Sequence, residues 1–191
     1  MTFEVKSLKK SFDAKDVLCG VNLELSDGIY LMTGASGGGK TTLLRILGGL
    51  ETADSGEYQK LTVSFMFQEN RLFPWLNITE NITETANCSR EKAVLLLNSL
   101  GLAGNEKKFP HELSGGMQRR VSLARTLARE AQLYLFDEPL AGLDPESQKT
   151  ACNVIKNSIP PHSVAIIVSH ETAESQKIVK QILKLDKGKI V

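Results

Sequence analysis

Apolar residues fall in short consecutive runs at 29–33, 63–67, 133–136 and 164–168. Each is bounded by polar or glycine-containing segments, which predicts strands covered on both faces. Between them, residues 40–50, 90–100, 115–130 and 145–159 predict helices. Asp144 followed by Pro145 is a strong helix start, the carboxylate serving as N-cap and the proline as first helical residue. Strands alternating with helices predict a parallel sheet flanked by helices. The ends read differently. Residues 3–8, 21–25, and the pair 182–185 and 189–191 joined by Asp186, Lys187 and Gly188 predict strands and hairpins of an antiparallel layer. From about 77 to 112 there are helix signals and no strong strand, which predicts a small helical lobe inserted in the larger one.

Composition narrows the class. The chain has 191 residues, 41% hydrophobic and 24% charged, close to the globular average and far from disordered or fibrous sequences. With 23 basic and 22 acidic residues the net charge is +1, which gives no electrostatic reason to expect nucleic acid as a partner. No apolar run approaches the roughly 20 residues of a membrane-spanning helix, so any membrane work is expected to need another chain to do the spanning. Cys19, Cys88 and Cys152 are odd in number, widely spaced and without a CxxC pair, and no apolar signal core follows the N-terminal lysines. A reducing cytosol is the expected compartment. The glycosylation sequons at Asn77, Asn81 and Asn87 are then without consequence.

The first chemical motif is Gly34, Ala35, Ser36, Gly37, Gly38, Gly39, Lys40 and Thr41, a match to GxxxxGK(S/T) between a predicted strand and a predicted helix. Its glycines let successive backbone N–H groups converge on phosphate oxygens, and the helix N-terminus adds partial positive charge. Lys40 would reach the β- and γ-phosphates and the Thr41 hydroxyl would hold Mg²⁺. Alone, this loop leaves kinases, GTPases, motor ATPases and transport ATPases open. The second motif is the apolar strand ending in Asp137 and Glu138. The first carboxylate suits Mg²⁺ and the second an attacking water, although a solvated acidic turn would look the same in isolation. The third is Leu113, Ser114, Gly115, Gly116, Met117 and Gln118, directly before a helix that continues with Arg119 and Arg120. A serine hydroxyl, glycine amides and a helix dipole make a second anion device, or simply a capped turn. Two phosphate devices with one P-loop invite a dimer in which each site is completed by the partner.

The ordered set of the Gly34–Thr41 loop, Gln68, Leu113 to Gln118, Asp137 with Glu138, Leu143 with Asp144, and His170 resembles the nucleotide-binding subunit of an ATP-binding cassette (ABC) transporter over essentially the whole chain. The resemblance implies an α/β fold with a P-loop NTPase core, a mostly parallel sheet, an N-terminal antiparallel β layer and the small inserted helical lobe. It implies one ABC ATPase domain over 1–191, with the core at 1–76 and 131–191 and the lobe at about 77–130. ATP and Mg²⁺ are the implied ligands. Nucleotide contacts are expected from Phe12, which would stack on adenine, from the loop continuing through Thr42, and from Ser114, Gly115, Gly116 and Asp144. Thr41, Gln68 and Asp137 are expected to hold the metal, and Glu138, His170 and Gln68 to serve catalysis. The departures are small: a Gly-Gly-Gly run in the loop, Thr41 for serine, Met117 for glutamine and Phe12 for tyrosine.

The implied function is ATP hydrolysis that powers solute transport through a separate permease, with wording closest to nitrate and sulfonate importers. The alternative is a soluble non-transport ABC ATPase of translation or DNA maintenance. Implied partners are a second nucleotide-binding subunit, a transmembrane permease and, as a further candidate, a solute-binding protein. The implied location is cytoplasmic, peripheral on the inner face of the membrane. Phe73, Pro74, Trp75 and Leu76 either pack under the helical lobe or help form a groove for a permease helix. A minimal engine with no regulatory domain after Val191 is expected.

Overall fold

The computed structural model of the chain describes residues 2–13, 15–169 and 173–191. Strands β1 (Thr2–Phe12), β2 (Lys15–Ser26) and β4 (Ser55–Tyr58) form an antiparallel sheet in the order β2-β1-β4. The second sheet takes β3 (Gly28–Thr33), β5 (Val63–Met66), β6 (Leu133–Asp137), β7 (Val164–Val168), β8 (Gln181–Asp186) and β9 (Lys189–Ile190). Its order is β5-β6-β7-β3-β8-β9, and every pair from β5 to β8 is parallel.

The consecutive apolar runs are explained by two cores, one on each side of this sheet. On β6, Leu133 and Leu135 point to one core, and Tyr134 and Phe136 to the other. On β7 the same alternation divides Val164, Ile166 and Val168 from Ala165 and Ile167. Helix α1 (Lys40–Leu47) fills the first core with Leu43, Leu44, Ile46 and Leu47, together with Phe3, Val5, Leu8 and Val21 of the antiparallel sheet. The opposite core is covered by α2 (Ile78–Ala86), α3 (Arg90–Ser99), α4 (Gly115–Ala128) and α5 (Pro145–Ser158). Each such side chain contributes about 1.5–3 kcal/mol on full burial. A short helix, α6 (Ala173–Gln176), precedes β8.

Helix α4 is buried nearly all round, from Val121 to Ala128 with only Arg125 half-exposed. It packs against α2 and α3 on one side and β5 on the other. One continuous apolar cluster therefore runs from Ile82 and Leu97 through Leu123 and Leu127 to Tyr134 and Ile167.

The C-terminal strands depart from expectation. β8 pairs in parallel with β3, extending the main sheet, and β9 alone runs antiparallel to it. The hairpin touches the N-terminal layer where the Cys19 N–H donates to the Gly188 carbonyl at 2.8 Å. β1 continues to Phe12, four residues beyond its expected end, through register shifts near Ser7, which has a φ of 49°. Its Lys6, Ser7, Lys9 and Lys10 break the alternation on which the expectation rested. β4 was not expected, because Ser55, Gly56, Glu57 and Tyr58 carry no apolar pattern; its pairing with β1 makes it a strand.

Candidate functional site

Parallel strands place their C-terminal ends along one edge, where open α/β sheets hold ligands. At that edge β3 runs into Gly34, β6 ends at Asp137, and β5 leads into Phe67 and Gln68. Gly34 must be glycine: its φ is 144°, and a Cβ there would lie 2.1 Å from the Leu185 carbonyl oxygen of β8. The loop then curls to Gly39, the N-cap of α1, in the left-handed conformation at φ 96°.

The helix starts differ in a way that separates two of them from the rest. Asn77, Ser89, Ser114 and Asp144 each cap their helix with a side-chain oxygen, whereas α1 has no side-chain cap. Glu80, Glu91 and Glu146 occupy the first turns of α2, α3 and α5, but the first turns of α1 and α4 hold no acidic residue. The dipoles of α1 and α4 are thus left uncompensated at the two motifs read as anion devices. In the loop, the Lys40 ammonium donates to the carbonyls of Gly34 at 2.8 Å and Ala35 at 2.9 Å. Ser36 and Gly37 are exposed, and Gly38, Thr41 and Thr42 are half-buried.

The structure brings Thr41 and Asp137 together, the hydroxyl donating to the carboxylate at 3.3 Å. Burial pushes the Asp137 carboxyl above its ordinary range, opposed by the Thr41 hydrogen bond and the Arg119 charge. Glu138 follows in a left-handed conformation, φ 54°, which costs a non-glycine residue about 1–2 kcal/mol. Its N–H donates to the Val168 carbonyl at 2.8 Å. Gln68 is exposed just beyond β5. Phe12 lies at the turn end of the β1–β2 hairpin, paired with Lys15 and 42% exposed, with the Lys10 ammonium 4.8 Å from its ring centre. The same hairpin abuts the P-loop, since a Cβ at Gly39 would sit 2.9 Å from the Val17 carbonyl oxygen.

Ser114 and Gly115 are exposed at the start of α4, and the Ser114 hydroxyl accepts from the Met117 N–H at 3.3 Å. Gly116 faces the turn before α5, where a Cβ would find the Gly142 carbonyl oxygen and Leu143 at 3.6 Å. The Asp144 carboxylate accepts from the Ser147 N–H at 3.0 Å as the α5 cap, and Ser147 holds it below its ordinary range. His170 lies outside the described residues.

Two features escaped the motif reading. Arg119 sits at the position of a buried stripe with Ser122, Leu123 and Thr126, where an i, i+3, i+4, i+7 count would have exposed a charged residue among core positions. Asn81, fully buried, fixes the loop before α2: its Oδ1 accepts from the Phe73 N–H at 2.7 Å, and its Nδ2 donates to the carbonyls of Phe73, Leu76 and Asn77. That bonding also closes the Asn81 sequon to modification. The loop carries Trp75 70% exposed, its ring 5.3 Å from that of Phe73. Beside it a groove of ≈ 510 Å³ runs between Phe65, Phe67 and Phe73, with Arg71, Arg125 and Arg129 among its lining residues. Among the described residues no helix is long and apolar enough to cross a membrane.

Comparison with known proteins agrees with this geometry. The family model described as ABC transporter matches residues 18–141. An aliphatic sulfonates import ATP-binding protein, SsuB 2 of Rhodococcus jostii, is 38% identical, with the match covering 98% of this chain and 80% of that protein. The L-cystine transport system ATP-binding protein TcyN of Escherichia coli is 36% identical over 98% of this chain and 88% of its own length. The dimeric structure of MJ0796, a bacterial ABC transporter cassette, has a TM-score of 0.85 and 25% identity, covering 100% of this chain and 96% of that one. A dimeric post-hydrolysis structure of the same cassette bound to ADP and Pi shares the fold, with a TM-score of 0.84 at 24% identity. With a P-loop, a strand-end carboxylate pair and a serine-capped signature helix on a fold shared with these cassettes, the chain belongs to the ABC transporter family.

Proposed function

We propose that this chain is the ATP-hydrolysing subunit of an ABC importer, working as a dimer against a separate membrane permease. The observation that carries the reading is the meeting of Thr41 and Asp137 at the mouth of an uncapped P-loop helix. Relatives named as import ATP-binding proteins favour transport over a role in translation or DNA maintenance. The site belongs on the cytoplasmic face of the membrane, where ATP is available. The solute differs between those relatives, sulfonates in one and L-cystine in the other, so it is a property of the partner chains.

The chemistry follows from the residues. The amides from Gly37 to Thr42 receive the phosphates, and Lys40 exchanges its Gly34 and Ala35 carbonyls for phosphate oxygens. Phe12 offers its exposed ring to the adenine. The Thr41 hydroxyl and Asp137 carboxylate are hard oxygen donors 3.3 Å apart, and with Gln68 they would hold Mg²⁺, which neutralises phosphate charge when bound. Glu138 accepts the proton of the water that attacks the γ-phosphorus as the bond to ADP breaks. Ser114, Gly115 and Gly116 of a second subunit place an uncompensated helix dipole on the γ-phosphate from the other side. Asp144, capping α5 beside that helix, couples the two sites, and His170 supplies a further γ-phosphate contact. Most of the rate comes from positioning and charge stabilisation. The groove beside Phe73 receives an amphipathic helix of the permease, its arginines meeting carboxylates.

The test is ATP turnover by the purified chain with its permease, with and without Mg²⁺. Glu138→Gln is expected to keep ATP affinity within about threefold while lowering turnover at least about 100-fold. Near-wild-type turnover in that variant would overturn the role given to Glu138, and no turnover in the unaltered complex would overturn the reading as a whole.

A further inference from the structure

Arg119 has a set of partners that space-filling does not require. It lies on α4 five residues after Ser114 and is 4% exposed. Its Nη1 donates to the carbonyls of Phe67 and Gln68, each at 2.8 Å, and to the Asn70 side-chain oxygen at 3.3 Å. Its Nη2 donates to the carbonyls of Asp137 at 2.6 Å and Glu138 at 2.5 Å. All of these acceptors are neutral amide oxygens, and Nε has no partner. Burying a guanidinium on neutral oxygens is costly, and for stability alone an apolar side chain of similar volume often serves as well or better.

The partners give the arrangement its meaning. Glu138 is in a strained left-handed conformation, and its backbone is held on both sides of Cα: the N–H by Val168 and the carbonyl by Arg119. The direction of the Glu138 side chain follows from that backbone. The same guanidinium fixes the carbonyl of Gln68, two residues beyond the end of the neighbouring strand β5. Its own backbone belongs to the helix that Ser114 caps.

We propose that Arg119 is a positioning residue, which sets the Glu138 and Gln68 backbones in one register from the helix that carries the signature serine. A shift of α4, as when Ser114 meets the nucleotide of the opposite subunit, is thereby delivered to the carboxylate and the amide of its own subunit in a single movement. The proposal rests on Glu138 being the group that accepts the water proton. Neutral oxygens as partners allow such a device to release and re-form without separating an ion pair.

The experiment compares steady-state ATP hydrolysis by the full complex carrying Arg119→Lys, Arg119→Gln, Glu138→Gln and the Arg119→Gln, Glu138→Gln pair. Both Arg119 variants are expected to lower kcat at least about 10-fold with KM for ATP within about threefold, and lysine, which keeps the charge, is expected to lose less than glutamine. If Arg119 acts through Glu138, the double variant turns over within about twofold of Glu138→Gln alone, because the carboxylate being aimed is already gone. Wild-type kcat in the Arg119 variants while Glu138→Gln is inactive overturns this proposal alone. So do effects that multiply in the pair, a rise in KM that accounts for the loss, or failure of both single Arg119 variants to show a cooperative melting transition, each of which makes Arg119 an independent or scaffolding residue. Wild-type turnover by Glu138→Gln overturns the role of Glu138 and this proposal with it.

Discussion

The hydroxyl of Thr41 and the carboxylate of Asp137 meet at 3.3 Å although 96 positions separate them in the chain. Thr41 lies in the first turn of the helix after β3, Asp137 is the last residue of β6, and only β7 lies between those strands. The contact is therefore a product of parallel strand order, and it holds a buried acid whose desolvation outweighs the support its charge receives from Thr41 and from the Arg119 and Arg45 guanidinium groups.

Asp137→Asn tests what that charge costs. Burial raises the carboxyl's folded pKa, so the native chain holds this proton more tightly than the unfolded chain does. The resulting stability is complete below the ordinary carboxylate range and is lost as pH rises through the raised value. At pH 7 the nucleotide-free asparagine variant is expected to melt above the parent and to lose ATPase activity. Acidifying both towards the carboxylate range should narrow the gap. Melting curves across pH check it; a less stable asparagine variant at neutral pH would show that the charged form is favoured in the fold.

At the signature, capping and anion binding can be pulled apart. Ser114→Asp keeps a side-chain acceptor for the Met117 N–H, so the monomer's melting temperature should hold, because aspartate caps as well as serine. The new charge would sit where a phosphate is to bind. ATP-driven dimerisation in a Glu138→Gln background is then expected to vanish, while ATP affinity of the monomer changes little. Light scattering with ATP decides it, an undiminished dimer counting against the shared site.

Asn81 offers a third separation. Replacing it by alanine takes the side-chain partner from the Phe73 N–H and the Leu76 carbonyl, while the carbonyls of Phe73 and Asn77 keep the N–H groups of Leu76 and Asn81, a loss of about 2–3 kcal/mol on the usual scale for buried groups left unpaired. Trp75 is the chain's single tryptophan, so its fluorescence anisotropy reports the loop directly. It should fall in Asn81→Ala, with basal ATPase kept and stimulation by the permease reduced. Unchanged anisotropy would mean the loop is held by other means.

What the sequence made legible follows from how local each signal is. The loop from Gly34 to Thr41 and the Asp137, Glu138 pair announce themselves because their chemistry is contiguous and strand-flanked. The four buried strands were readable because burial on both faces writes an unbroken apolar run. β4 and the far half of β1 were not, since each is a strand by virtue of its neighbour. The sequence of β8 does not tell its layer, because its alternating exposure, with Leu183 and Leu185 buried and Gln181, Lys184 and Asp186 exposed, is that of any strand with one covered face. Arg119 stayed hidden because its partners come from two distant segments, and the Asn81 network because an asparagine inside a sequon reads as a surface residue.

The position of β3 has a consequence for synthesis order. The phosphate loop leaves the ribosome within the first quarter of the chain, yet the strands on either side of β3 are β7 and β8, among the last to be made. The Leu185 carbonyl that backs Gly34 belongs to β8 itself. A growing chain thus carries the complete P-loop sequence for most of its translation without the walls that shape it. On the reading proposed above, the walls of the nucleotide site are complete only when β7 and β8 have inserted beside β3, so ATP binding would mark a chain made and folded through β8.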